Sequence, residues 1–340
     1  MKHDLKSLSF SELESLVAKL NMQPFRAKQI SQWIFQKNVA DINSMTNLSN
    51  EVRKRLSAIA YISCLVHEKT DVSLDGSKKF LFKTSDGFGL ESVLIKEENH
   101  FTLCISTQIG CSVKCRFCYT GQIGLERSLS TSEILNQVSA VLKADGLEGR
   151  LPNLVFMGMG EPFANYENTV KSIQILLSPW GFNYSHRKIT VSTAGLIPRI
   201  KQLGQDLPVN LAISLNASNN KIRNFLMPIN RKFPIKDLIE AARNFPISSR
   251  KRITFEYILI KDVNDSPDNA LELGKLLKNI PCKINLIPFN EHPGVSFKKP
   301  PEKTIREFQS ILLSKHFTVT LRRSKGSDIA AACGQLGGGL

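Results

Sequence analysis

The chain has 340 residues and a formal net charge of +15 at pH 7, long enough for one large α/β domain with an appendage, or for two domains. No apolar run reaches the length of a membrane span, and Met1 to Leu20 alternates charged with apolar residues, so neither a transmembrane helix nor a secretory leader is expected and the expected compartment is the cytoplasm. Seven cysteines, an odd number without a signal segment, fit a reducing compartment where thiols bind metal or react. The positive excess favours encounter with a polyanion, nucleic acid above all.

Ser9 followed by Glu12 forms a capping box, with Leu8 as a staple residue and Leu13, Leu16, Val17 and Leu20 at helical spacing. Further helices are predicted from about Arg26 to Gln36 and from Asn50 to Ile59. Three short helices with apolar faces imply an accessory module whose aromatics serve as core. From Lys78 the pattern changes: KKFLFKT, a turn at Asp86 and Gly87, and GLESVLI read as a hairpin. Glu91 lies in its second strand, a place where acidic residues ordinarily face solvent.

Downstream, strand-like runs alternate with helical stretches. The runs are Thr102 to Thr107, Asn153 to Met157, Lys188 to Ser192, Val209 to Leu215, Ile253 to Leu259, Lys283 to Pro288 and Phe317 to Arg322; Ser130 with Glu133 repeats the capping box. Repeated β-α units imply a parallel sheet, here an incomplete (β/α) barrel of about six strands with its site at their C-terminal ends. The chain thereby divides into a helical accessory domain at 1–77, a linking hairpin at 78–100, the barrel at 101–325 and a tail at 326–340.

The organising stretch is CSVKCRFC, with Cys111, Cys115 and Cys118 spaced by four and then three. Such thiolates can hold an iron–sulfur cluster with one iron left open, or supply three of four ligands to zinc. Cys64, Cys282 and Cys333 stand far apart, and no two of the six histidines form a metal-type pair, so a closed zinc site lacks an obvious second half. The C-x-x-x-C-x-x-C spacing with an aromatic before the last cysteine resembles the signature of radical S-adenosylmethionine (SAM) enzymes.

Other candidate residues fall at the same sheet edge. MGMGEP follows the second barrel strand, where glycines would allow close backbone approach to a ligand and Glu161 offers a carboxylate. Ser192 ends the third strand, Ser214 to Asn216 end the fourth, and Asn290 follows the sixth. Basic pairs and runs occur at Lys78 and Lys79, Arg187 and Lys188, Arg231 and Lys232, Arg250 to Arg252, Lys298 and Lys299, and Arg322 to Lys325. Each taken alone is an ordinary solvated surface; together they favour nucleic acid.

Taken together, CISTQIGCSVKCRFCYTGQIGLERSLSTSEI, VFMGMGEP, ITVSTAGLIP, INLIPFN and GSDIAAACGQL resemble the RlmN/Cfr family of radical SAM RNA methyltransferases over nearly the whole chain. The resemblance implies a [4Fe-4S] cluster on Cys111, Cys115 and Cys118 and SAM contacts at Gly160, Glu161, Ser192, Ser214, Leu215, Asn216 and Asn290. It implies that Cys333 accepts a methyl group from one SAM, that a 5′-deoxyadenosyl radical from a second SAM activates it, and that the resulting methylene radical adds to an adenine carbon. Cys104 then resolves the RNA–protein adduct and forms a disulfide with Cys333, while Glu91 matches a proton acceptor. The implied substrates are an adenosine of 23S rRNA and one beside the tRNA anticodon, modified at C2, or at C8 for a Cfr-like enzyme. Flavodoxin or a ferredoxin would supply electrons, and nothing demands more than a monomer. The family commonly has SLH where this chain has Ser214-Leu215-Asn216, leaving the third side chain's role open. The short glycine-rich end suits a mobile segment carrying Cys333. A basic RNA-binding protein with a structural metal is the reading from another class.

Overall fold

The computed structural model describes residues 2–147, 149–246 and 251–337. Strand β1 (His3–Asp4) leads to α1 (Phe10–Lys19), whose first turn is closed by reciprocal bonds between Ser9 and Glu12. Helices α2 (Phe25–Phe35) and α3 (Asn50–Ile59) follow, and β2 (Ala60–Tyr61) pairs back in parallel with β1. Leu13, Leu16, Val17, Ile30, Ile34 and Leu56 point inward and merge with the main core. The module is anchored on the barrel by polar and aromatic contacts: Ser31 donates to the Trp180 carbonyl at 2.8 Å, and Phe10 stacks on Trp180 with centroids 5.9 Å apart.

Next come β3 (Val66–Val72), β4 (Lys78–Lys83) and β5 (Gly89–Lys96), an antiparallel meander. The pairing of β4 with β5 is the hairpin expected from sequence. β3 lies inside the stretch read as helical. Five of its seven residues are exposed edge positions, VHEKTDV carries no alternation of apolar and polar residues, and the usual strand signal is therefore absent. β5 pairs antiparallel with β6 (Phe101–Cys104), so the hairpin extends the barrel sheet itself.

After β6 the chain forms β7 (Gln108–Gly110), passes through the cysteine loop and α4 (Tyr119–Ile123), and returns as β8 (Leu125–Ser128) against β7. Alternation then proceeds: α5 (Thr131–Ala144), β9 (Asn153–Phe156), α6 (Tyr166–Leu177), β10 (Ile189–Thr193), α7 (Ile197–Asp206), β11 (Asn210–Ser214), α8 (Asn220–Leu226) and α9 (Ile235–Arg243). It ends with β12 (Ile253–Leu259), α10 (Pro267–Leu276), β13 (Cys282–Pro288), α11 (Glu302–Ser314) and β14 (Thr318–Leu321). The sheet order is β14-β13-β12-β11-β10-β9-β6-β5-β4-β3, and each neighbouring pair from β6 to β14 is parallel. This is the expected partial α/β barrel, with β14 adding a seventh parallel strand at its edge. Right-handed βα repeats bring the strands' C-terminal ends to one rim.

Candidate active site

The cysteine loop is a separate lobe pinned at its neck. Cys111 donates its amide to the Gly124 carbonyl at 2.7 Å, and a side chain on Gly110 (φ +75°) would meet that oxygen at 1.8 Å. Lys114 turns the chain through the left-handed region at φ 57°, and Cys118 donates back to the Cys115 carbonyl at 3.2 Å. The expected strand-to-loop passage is thus interrupted by β7: the Ile105 amide still bonds Val155 of β9, whereas the Ile105 carbonyl and the Thr107 amide bond Gly158 and Met159 beyond the end of β9.

Cys111, Cys115 and Cys118 line one wall of a cavity whose other walls come from the ends of β9 to β13 and from the tail. Val113, Phe117, Met227, Ile260 and Phe289 pack around them. Burial pushes the Cys111 thiol up to about 12 and raises Cys115 and Cys118, while Cys118 opposes ionisation of Cys111, both oppose that of Cys115, and Cys333 opposes that of Cys118. A cationic metal centre relieves all three effects, since thiolate is its ligand form. Among the described residues no three His, Cys, Asp or Glu groups gather tightly enough for a single ion. The donor set of three soft sulfurs in an apolar pocket, with no histidine or carboxylate among the wall's ligands, fits an iron–sulfur cluster.

Gly160, Glu161, Ser192, Ser214 and Asn216 line the same cavity. Glu161 is buried and accepts from the Ala194 amide at 2.7 Å, the Thr193 hydroxyl at 2.8 Å and the Phe163 amide at 3.1 Å, while burial raises its pKa to about 7. A cationic ammonium entering the cavity would restore its charge. The glycines of MGMGEP have a further cause beyond ligand approach. A Cβ on Gly158 would lie 2.6 Å from Ser106 Oγ, and one on Gly160 (φ +96°) would lie 2.5 Å from Gln108 Cβ.

Asn216, in left-handed backbone at φ 57°, accepts from the Ile258 amide at 2.9 Å. Its side chain therefore braces adjoining strand ends. Leu215 is fully buried, and neither Leu215 nor Asn290 lines the thiol cavity. Asn290 instead donates to the Cys333 carbonyl at 3.1 Å.

The tail is docked across the rim. Tyr119 donates to the Gly334 carbonyl at 2.8 Å, Thr120 to that of Leu336 at 2.7 Å, and Gln335 to that of Glu291 at 2.9 Å. Ala331 and Leu336 pack with Val93, Cys104 and Met159. Residues 338–340, the last part of the expected tail, lie outside the described residues. Cys333 opens onto two spaces: the thiol cavity, and a second one lined by Cys104, Val155, Met157 and Leu336. All seven cysteines are free. Burial and the nearby Cys333 push Cys104 up to about 12, with Arg322 opposing the shift.

Glu91 is buried, contrary to the ordinary expectation for a strand carboxylate. It accepts from the Gly337 amide at 2.5 Å and pairs with Lys79 at 3.3 Å. Sequence reasoning missed Arg322 and Glu256. Arg322 was visible only as part of a basic run, yet it lines both cavities, and its charge is favoured chiefly by Cys333 and then by Glu256 and Cys104. Its place after a barrel strand was the available signal.

Several basic groups are occupied internally. Lys78 pairs with Asp145, Lys79 with Glu91, Lys298 with Glu291 and Lys325 with Glu97. Arg250 lies outside the described residues.

The family model described as "Ribosomal RNA large subunit methyltransferase N-terminal domain" matches residues 3–62, and that of the radical SAM superfamily matches residues 105–274. The protein named "Dual-specificity RNA methyltransferase RlmN" in Geotalea uraniireducens is 50% identical over 339 residues, covering 100% of this chain and 98% of that protein. The chain belongs to the RlmN family of radical SAM RNA methyltransferases. A relative of the same name in Geobacter sulfurreducens is 49% identical, with 99% of this chain and 92% of that protein covered. The crystal structure of a radical SAM methyltransferase from Sphaerobacter thermophilus superposes with a TM-score of 0.93 at 41% identity, covering 98% of each chain. Family membership carries a [4Fe-4S] cluster and SAM as cofactors. Among the described residues no helix is long and apolar enough to cross a membrane.

Proposed function

We propose that this enzyme methylates C2 of one adenosine in 23S rRNA and of one beside the tRNA anticodon, with Cys333 as the methyl carrier. The observation that carries the reading is the position of Cys333, open both to the cavity of Cys111, Cys115 and Cys118 and to that of Cys104. The names of the relatives, with dual RNA specificity, support two substrates, and the large-subunit description of the N-terminal model supports the ribosomal one.

Cys111, Cys115 and Cys118 hold the cluster, and Gly160, Glu161, Ser192, Ser214 and Asn216 surround SAM. Bound together, cluster and SAM supply the methyl group and the one-electron chemistry needed for an electron-poor ring carbon that cannot act as a nucleophile. Leu215 contributes its buried side chain to the wall behind these contacts.

Cys333 takes the methyl carbon onto its sulfur and later joins it to the RNA as a thioether; the methyl carbon gives up one hydrogen atom and ring C2 its hydrogen as a proton, and the odd electron would leave through the one-electron chemistry that the bound cofactors supply. Cys104 releases the product: its sulfur attacks that of Cys333, the carbon–sulfur electron pair returns to carbon with a proton, and a Cys104–Cys333 disulfide forms. A flavodoxin- or ferredoxin-type donor returns two electrons to the pair. Because burial keeps Cys104 a thiol, its proton must leave as it attacks. Arg322 is the positive group beside both sulfurs, and Asn290 holds the carbonyl of Cys333. Glu91 holds the tail through Gly337, so service as a proton acceptor requires that contact to open.

The test is mass spectrometry of adenosines from RNA incubated anaerobically with reconstituted enzyme, SAM and reductant. Methylation at C2 that disappears in Cys333→Ala is expected. Methylation at C8, or C2 methylation that survives Cys333→Ala, would overturn the assignment.

A further inference from the structure

At the rim opposite the site lies a groove lined by Lys251 and Arg252 before β12, Lys275 in the last turn of α10 and Lys278 just beyond it, and Lys315 and His316 after α11. Among the described residues its lining contains no acidic group. Arg252, Lys275, Lys278, Lys315 and His316 are exposed, and Lys251 is half-buried. Among the described residues none of the five lysines and arginines is in an ion pair, whereas Arg243 and Arg306 elsewhere on the helices are paired with Glu240 and Glu302.

The groove is a built feature. Lys251 donates to the Pro208 carbonyl at 2.8 Å and Arg252 to Thr318 Oγ1 at 2.5 Å, neutral acceptors that fix both cations without cancelling their charge. Gly274 leaves room for the stem of Lys315, whose Cδ would lie 2.8 Å from a Cβ there. Lys275 and Lys315 also answer the negative ends of α10 and α11. Lys251 and Arg252 answer no helix end, and Arg187 crowds Lys251 further. Such an array stores repulsion that a line of phosphates relieves.

We propose that this groove docks the phosphate backbone of a substrate RNA at a segment remote from the adenosine being modified. The inference rests on the RNA reading above. Strand β13, seven residues long, separates the two rims, a span of roughly 20 Å. Only an RNA extending well beyond the target loop reaches both. An acidic electron donor is the less suitable occupant, because it has to approach the cysteine loop at the other rim.

The experiment compares wild type with the triple variant Lys275→Gln, Lys278→Gln, Lys315→Gln on two RNAs: a minimal stem-loop carrying the adenosine, and a long large-subunit rRNA transcript. For the long RNA the triple variant is expected to bind about ten-fold more weakly, with a log–log salt slope smaller by about 2. Stem-loop affinity and methylation stay as in wild type. Lys278→Gln alone, at one exposed side chain, lowers the long-RNA slope by about 1 and serves if the triple variant misfolds. Unchanged long-RNA binding, equal weakening for both RNAs, or a defect confined to reduction by flavodoxin would each overturn the docking groove while leaving the methyltransferase reading intact. Wild type that modifies neither RNA would overturn both.

Discussion

The side-chain amide of Asn290 is bonded to the carbonyl of Cys333 at 3.1 Å. Asn290 follows β13 at the active rim, so a position that the family resemblance assigns to SAM here holds the backbone of Cys333, the proposed methyl carrier. Misplacing a reacting atom by about an ångström can cost on the order of 100-fold in rate. Asn290→Ala should accordingly lower kcat for RNA methylation by about 10- to 100-fold and leave the KM for SAM within about two-fold. Steady-state kinetics with SAM varied separates the outcomes: a large rise in KM at unchanged kcat would return Asn290 to the cofactor.

Lys79 and Glu91 form an ion pair whose side chains are 11% and 3% exposed. Removing one member of such a pair leaves the other buried without its counter-ion, a loss of about 3 kcal/mol. Lys79→Met should therefore lower stability by about that amount in urea unfolding. The double variant Lys79→Met, Glu91→Leu should recover most of it, yet still methylate RNA poorly, because Gly337 has lost its acceptor. Wild-type stability for Lys79→Met would refute the pair's importance.

Gly160 combines φ +96° with a virtual Cβ 2.5 Å from Gln108 Cβ and 2.8 Å from the Gln108 amide nitrogen. An added methyl group has to push backbone aside in an unfavourable conformation, at a cost of about 2–4 kcal/mol. Gly160→Ala should thus melt at a lower temperature even without SAM. A variant that melts normally and loses only SAM affinity would show the glycine to be needed for the ligand alone.

The repeated elements were legible because their signals are local. Asn50–Ile59 and Ile253–Leu259 coincide with their sequence expectations, and the capping boxes at Ser9 and Ser130 form. The cysteine triad and Glu161 were equally visible, since motif spacing survives without knowledge of contacts. Strand β3 was invisible because edge pairing needs no apolar face. Arg322 was misplaced among surface charges because its partners, Cys333, Glu256 and Cys104, are distant in sequence and meet only at the rim. The same holds for Glu91, whose burial depends on Lys79 and Gly337.

Cys104 and Cys64 should differ sharply as nucleophiles. Cys64 is exposed, whereas Cys104 is buried with its pKa raised to about 12, first by desolvation and then by Cys333. For an acid whose pKa lies above the ambient pH, the charged fraction grows about ten-fold with each pH unit, so at pH 8 roughly one Cys104 in 10,000 is thiolate. Iodoacetamide added anaerobically at pH 8 should label Cys64 first and leave Cys104 unmodified, with Cys104 labelling accelerating about ten-fold per unit toward pH 10. Peptide mass spectrometry follows both residues, and circular dichroism verifies that the fold persists across this range. Arg322→Met removes the cation that opposes the shift and should slow Cys104 labelling further. Labelling of Cys104 at pH 8 as fast as that of Cys64 would mean a thiol open to solvent and already activated, and the proton transfer assigned to the resolving step would then be unnecessary.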